Sequence, residues 1–178
     1  MKKTSSFLLL LLVVMMMASC SDKNSLQNYF IDHAEQVGFS SSTIPISILK
    51  QEGFQLTQKQ EEALDAIDRV NVLLYRADAN KKEEFATERN NIKGILKNEK
   101  YEDLMNLGRN GAIKYIGTDD AMDEIVIFLS DKQMGGFAVT RIIGDNMTFE
   151  KFMELYKLTE QGNMPLSLGN LSGFMTTK

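Results

Sequence analysis

Ile125-Val126-Ile127-Phe128-Leu129, preceded by Glu124, is the stretch whose reading decides the fold. It is too short for a core helix, and its β-branched and aromatic residues favour a strand. Apolar residues stand at both parities, so both faces of this strand need cover, which predicts a central position in a sheet. On either side lie Thr118 to Asp123 and Ser130 to Gly136, short segments with the charge and glycine of turns. Beyond them, Ala112 to Gly117 and Phe137 to Ile143 read as strands. Links this short favour antiparallel pairing, so the three strands form a meander.

Working outward, Thr148 caps a last helix with Phe149, Phe152, Met153 and Tyr156 on its inner side. Upstream, Tyr101, Leu104 and Met105 read as a short helical turn ending near Gly108 or Gly111. Asn80 with Glu83 opens a capped helix whose stripe is Phe85, Ile92 and Leu96, with Ile95 beside it. Val70 to Ala77 is a strand. Thr57 and Gln60 have the spacing of a capping box, and Leu64 and Ile67 then face one side of the helix it opens. Ile44, Ile46 and Ile48 alternate, predicting a strand over Thr43 to Leu49, and Pro45 within it places that strand at a sheet edge. Leu26, Phe30, Ala34 and Val37 are at helical spacing, closed by Gly38.

A strand-helix-strand unit of this kind predicts a parallel pair with a right-handed crossover. The expectation is an α+β single domain in two layers, a mixed sheet of about five strands with helices packed on it.

The N-terminus has another character. Lys2 and Lys3 precede an unbroken apolar run from Phe7 through Ala18. That run falls short of the roughly 20 apolar residues a membrane-spanning helix needs. A basic start, a short apolar centre and small residues describe an export signal that is cleaved. Met17-Ala18-Ser19-Cys20 resembles a lipobox, after which the cysteine is acylated. Cys20 is the single cysteine of the chain, so no disulfide is available to it, and acylation removes a free thiol from an oxidising compartment. The expected division is a signal peptide over 1–19, a lipidated tether over 20–25, the α+β domain over 26–160 and a tail over 161–178. The tail is either loosely held or laid across the second sheet face by Leu166, Leu168, Leu171 and Phe174.

The chain carries 20 basic and 24 acidic residues, a net charge of -4. Loss of Lys2 and Lys3 with the leader takes this to -6. An acidic balance speaks against nucleic acid, whose affinity rests on clustered Lys and Arg. No cofactor motif is legible. His33 is the lone histidine and reads as a solvated or partly packed side chain rather than a general base. Zinc would need a nitrogen and sulfur ligand share that this chain cannot assemble. Asp119, Asp120, Asp123 and Glu124 lack the alternate spacing and mid-loop glycine of a calcium loop and read as a charged turn. Gly169-Asn170-Leu171-Ser172-Gly173 is one place off a nucleophile elbow, and Gly135-Gly136 opens no helix to form a phosphate loop. Glu61-Glu62 and Glu83-Glu84 suit helix starts and, being adjacent, point different ways. The methionines outside the leader read as core gap-fillers rather than a copper site. The only site residue expected is therefore the lipidation position, Cys20.

Tyr101-Glu102-Asp103-Leu104-Met105, then Asp123 to Leu129, Phe137 to Gly144 and Thr148-Phe149-Glu150 together resemble the domain of unknown function 4252 family. Phe39 to Tyr75 matches its lead-in more loosely. The resemblance implies a small exported lipoprotein of the kind found in Bacteroides-like bacteria, and it carries no catalytic or ligand residues over to this chain. Gene neighbourhoods of the family imply an association with extracytoplasmic sigma factors. Ser21, in place of a retaining aspartate after the cysteine, favours the outer membrane, with periplasmic or surface face open. The expected function is a non-enzymatic binding or adaptor module at the cell envelope, able to pair a partner through the edge strand at Thr43 to Leu49. The alternatives are an envelope-stress sensing component, or a small carboxylate-dependent hydrolase or ligand carrier.

Overall fold

The computed structural model describes residues 24–50, 55–78 and 80–160. In chain order its elements are α1 (Leu26–His33), β1 (Phe39–Ile44), α2 (Ile46–Leu49), α3 (Gln58–Asp65), β2 (Ile67–Arg76), α4 (Lys82–Ile95), β3 (Glu102–Asn106), a 3-10 turn (Gly108–Asn110), β4 (Gly111–Thr118), β5 (Ala121–Asp131), β6 (Gly136–Met147) and α5 (Phe149–Glu160). The strands form one open sheet in the order β1-β2-β6-β5-β4-β3. β5 lies inside it between β6 and β4, as its two apolar faces require.

Alternation along the strands sorts the core into two clusters. Val70 and Val72 of β2, Ile113 and Tyr115 of β4, Ile125 of β5 and Ile142 of β6 pack with Ala63 and Leu64 of α3 and with Phe152, Leu155 and Leu158 of α5. Residues of the other parity, Leu73, Tyr75, Val126, Phe128, Phe137 and Val139, pack with α1 and with Phe85, Ile92 and Leu96 of α4. Helices therefore cover both faces, which makes three layers where two were expected. The α+β single domain holds, with six strands where about five were read.

Every pairing in the sheet is antiparallel. The expected parallel crossover is thus corrected, and the register shows why. Ile44, at the end of β1, lies opposite Val70, near the start of β2. The connection begins and ends at the same end of the sheet, so α3 packs on one face without carrying the chain across to the opposite end. The expected strand over Thr43 to Leu49 is also displaced. The strand is Phe39–Ile44, and Ile46–Leu49 is a helical turn with Pro45 as its N-cap at φ -64°. Proline's ring supplies a φ that suits a helix start and has no donor to lose there. The edge position read from Pro45 is nonetheless where β1 sits.

The expected helical turn at Tyr101 to Met105 is strand β3, on the opposite edge. Leu104 and Met105 are adjacent, so a regular strand would send them to opposite faces. A bulge between Asp103 and Met105 lets both pack on the α3–α5 side. That broke the period-two signal in the sequence. Helix α4 starts at Lys82 with Lys81 as an N-cap that makes no side-chain bond, one residue later than the Asn80 cap expected. By contrast, Thr57 and Gln60 form a complete capping box, and the Thr148 hydroxyl accepts from the Lys151 N–H at 3.2 Å. In α5 Leu155 and Leu158 are buried and Phe149 is exposed, so Phe149 does not face inward as expected. In the first helix Ala34 and Val37 lie beyond its end at His33 and are exposed.

The edge of β1 has a definite hydrogen-bonding parity. The Gly38 carbonyl accepts from the Arg76 N–H at 2.9 Å, while the Phe39 N–H turns away to the Gln36 carbonyl at 3.0 Å. By antiparallel alternation, Ser40, Ser42 and Ile44 direct their backbone groups at β2, and Ser41 and Thr43 direct theirs outward.

At the far end of β6, a Cβ on Gly144 would stand 2.1 Å from the Ala66 carbonyl oxygen. That oxygen already accepts from the Asp145 N–H at 3.0 Å, so β6 passes the entry to β2 at a distance only glycine permits.

Candidate functional site

The most developed polar constellation joins α1 to α4. Ser25 caps α1, its hydroxyl accepting from the Asn28 N–H at 3.2 Å. Helical spacing then places His33 one turn after Tyr29. The two rings stack with centroids 3.8 Å apart, and Phe39 of β1 closes on His33 at 4.7 Å. His33 Nδ1 lies 2.8 Å from the Tyr29 carbonyl oxygen, which can only accept, so Nδ1 carries the proton. From α4, Glu88 accepts from the Tyr29 hydroxyl at 2.5 Å and from Asn91 Nδ2 at 3.3 Å. Glu88 Oε2 also stands 3.6 Å from His33 Nε2.

Burial first, and then the hydrogen bond to Glu88, holds the Tyr29 phenol far above its ordinary value of 10.0. His33 touches a carbonyl, a carboxylate and two rings, none of them an activated nucleophile, so this arrangement braces two helices. Beside it a cleft of about 610 Å³ opens between α1 and α4, walled by Asn24, Asp32, Asn90, Asn91, Lys97 and Asn98 among others. Amide and hydroxyl groups in such number can recognise a polar ligand.

A second polar contact lies on the same sheet face. Arg141 of β6 is 5% exposed and meets Glu124 of β5 through two bonds, Nε to Oε1 at 3.0 Å and Nη2 to Oε2 at 2.8 Å. Gln27 of α1 accepts from Nη1, and the guanidinium carbon stands 5.5 Å from the Phe30 ring centroid. Helix α1 is therefore fastened at Arg141 as well as at Glu88.

The residues weighed from sequence are dispersed. His33 is partly packed, the second of the two states expected of it, and it gains Glu88 as a partner that spacing could not reveal. The acidic loop does not converge. Asp119 accepts from the Tyr115 hydroxyl at 2.6 Å, Glu124 turns to Arg141, and Asp120 and Asp123 are exposed. Tyr115 also reaches Glu102 at 2.9 Å, and these carboxylates, Asp119 foremost, raise its phenol well above the ordinary value. Among the described residues no group of three His, Cys, Asp or Glu side chains is placed to hold a metal. Glu61 and Glu62 are exposed on α3, and Glu84 pairs with Lys81 at 3.0 Å at the start of α4. Gly135 takes φ +64° in the β5–β6 turn. Met122 and Met147 lie in the core, with Met105 and Met153 against it. Cys20, the leader, all of the tether before Asn24, and the tail with Gly169 to Gly173 lie outside the described residues.

Arg141 had a signal in the sequence. It interrupts the apolar run Phe137 to Ile143 at the parity of Phe137 and Val139, so it must face the core and find a carboxylate. Glu88 had none, because its partners come from a helix far away in sequence.

These contacts predict a delayed alkaline titration of three tyrosines. Of the five tyrosines, Tyr29 and Tyr115 are raised well above 10.0, and Tyr75 is pushed up to about 12, by burial first. Folding stabilises the neutral phenol in each, so this stability is complete below pH 10 and is lost as pH rises through the raised values. Phenolate absorbance from these three should appear only as the fold opens. Ionisation of all three near the ordinary value in the folded protein would contradict the packing.

The family model described as "Domain of unknown function (DUF4252)" matches residues 29–155, from Tyr29 in α1 to Leu155 in α5. No curated protein and no solved structure matches the chain.

Proposed function

Because the chain belongs to the DUF4252 family, whose description assigns no activity, we propose that it is a non-enzymatic binding or adaptor module, held at the cell envelope by lipid on Cys20 and receiving a partner strand along β1. The outer membrane is the favoured site, after removal of residues 1–19. The observation that carries the reading is the edge of β1. Ser41 and Thr43 direct backbone donors and acceptors outward, and Ser40 to Thr43 are exposed, short and uncharged. Lysine or proline within an edge strand guards against strand addition, and β1 holds neither. The recipient strand is Phe39–Ile44, not Thr43 to Leu49.

The anchor is tested by Cys20→Ser, which should move the protein from the membrane pellet to the soluble fraction, while intact mass should show acyl chains on the natural chain. The edge is tested by Ser41→Pro. Its N–H is outside the β1–β2 ladder, so the melting temperature should change little. Crosslinked partner recovered from intact cells should fall by about tenfold or more. A partner yield equal to the natural chain's would remove strand addition from the reading.

The α1–α4 cleft favours a second reading, a carrier of a polar ligand, with Asp32 and His33 at its wall. Thermal shifts against panels of sugars and short peptides test it, and the absence of any shift would dispose of it. No helix among the described residues is long and apolar enough to cross a membrane.

A further inference from the structure

The C-terminal half of α4 concentrates positive charge on an acidic protein. Arg89 and Lys93 stand one turn apart on the helix, and Lys97 follows one turn on, where its N–H donates to the Gly94 carbonyl at 3.2 Å. Lys132, from the β5–β6 turn, lines the same surface depression as Arg89. Arg89 is fixed in place, donating to the Ser130 hydroxyl at 3.0 Å and to the Arg109 carbonyl at 2.8 Å. Lys93, Lys97 and Lys132 have no carboxylate partner among the described residues.

Like charges one turn apart weaken a helix. The helix dipole offsets this for cations near the end of α4, but it does nothing for Lys132, which comes from another element. Mutual proximity is also felt at Lys93, whose amino group is held below the ordinary lysine value by burial and then by Arg89, Lys132 and Lys97.

The path of the chain says what this patch faces. Asn24 and Ser25 line the α1–α4 cleft together with Gly94, Lys97 and Asn98, so the chain enters α1 beside the end of α4. Cys20 is four residues before Asn24, a reach of about 14 Å when extended. Lipid on that cysteine would bring a bilayer to this side of the domain.

We propose that Arg89, Lys93, Lys97 and Lys132 seat the domain on the anionic phospholipid headgroups of the bilayer that holds Cys20. The patch is a second attachment that orients the α1–α4 layer toward the membrane, and as a docking surface it rests on the lipid-anchor reading. One acyl anchor and one basic patch is a combination that makes membrane attachment firm.

The test uses the purified full chain, its lipid state read by intact mass, in vesicles of phosphatidylcholine with phosphatidylglycerol and in vesicles of phosphatidylcholine alone. Amine labelling of Lys93, Lys97 and Lys132 should be slowed about fivefold on the anionic vesicles and recover in molar salt. Lys59 and Lys157, on the helices of the other layer, should label equally on both. Equal labelling of the patch on both vesicles overturns the proposal and leaves the anchor standing. A mass without lipid fails the anchor alone. The patch is then judged on the Cys20→Ser chain, where adding Lys93→Glu, Lys97→Glu and Lys132→Glu should weaken binding to anionic vesicles on the order of a hundredfold. Unchanged binding overturns it there too.

Discussion

Replacing Arg141 with alanine should lower the free energy of unfolding by about 3–5 kcal/mol. The guanidinium is nearly enclosed, and the Glu124 side chain facing it is 13% exposed. Removing the cation leaves a carboxylate in a place that water reaches poorly, with both of its bidentate partners gone. The same change takes a donor from Gln27 and a cation from the Phe30 ring, so α1 loses one of its two polar fastenings. Chemical denaturation measures the loss. The companion variant is Arg141→Met with Glu124→Leu, which removes both charges and keeps volume. It should restore most of the stability, because the larger part of the single-variant cost is the stranded charge rather than the bond. A loss below about 1 kcal/mol for Arg141→Ala would mean that Glu124 finds water after all.

Phe137→Ala should cost a similar amount, about 3–5 kcal/mol. Phe137 is fully buried on β6, inside the sheet and under the α1–α4 layer. Its ring stacks on Tyr75 at 5.1 Å and meets Phe128 at 6.0 Å and Phe39 at 6.2 Å. The cavity left behind is walled by strands β1, β2 and β5, which are bound by ladder hydrogen bonds and can collapse only slightly. Phe137→Leu should recover more than half of the loss, since it refills most of the volume without the ring contacts. The measurement is the denaturation midpoint at unchanged slope. A change in slope would instead report a partly opened α1–α4 layer.

How far the sequence could be read depended on the range of the interaction. Ile125 to Leu129 announced a covered central strand because burial on both faces leaves its mark on consecutive residues. Thr57 with Gln60 announced a helix start because the capping box closes within four residues. Asn80 did not, since α4 takes up its first turn without a side-chain cap. Leu104 and Met105 misled because a bulge is not written in the apolar pattern. It appears only when β3 meets β4. Ile46 and Ile48 misled because alternation over so few residues fits a helical turn as well as a strand, and Pro45 suits the start of either.

The polar constellations divide the same way. Arg141 was legible as a charge at a core-facing parity, although its carboxylate was not. The bond from Tyr29 to Glu88 was invisible, since α1 and α4 meet only after both have packed on the sheet.

The amino-acid order by itself determined the α+β class, the place of β5, the three-strand meander and the start of the helix after Thr57, all of which follow from burial and capping between near neighbours. The end of that helix at Asp65, with Ile67 already in β2 rather than on the helix as expected, did not show in it. Only the tertiary structure decided the antiparallel return of β2 beside β1, the third layer, the sixth strand and the meeting of His33 with Glu88. Each of these depends on which surfaces arrive together once the chain has closed, and no local preference of the backbone encodes that.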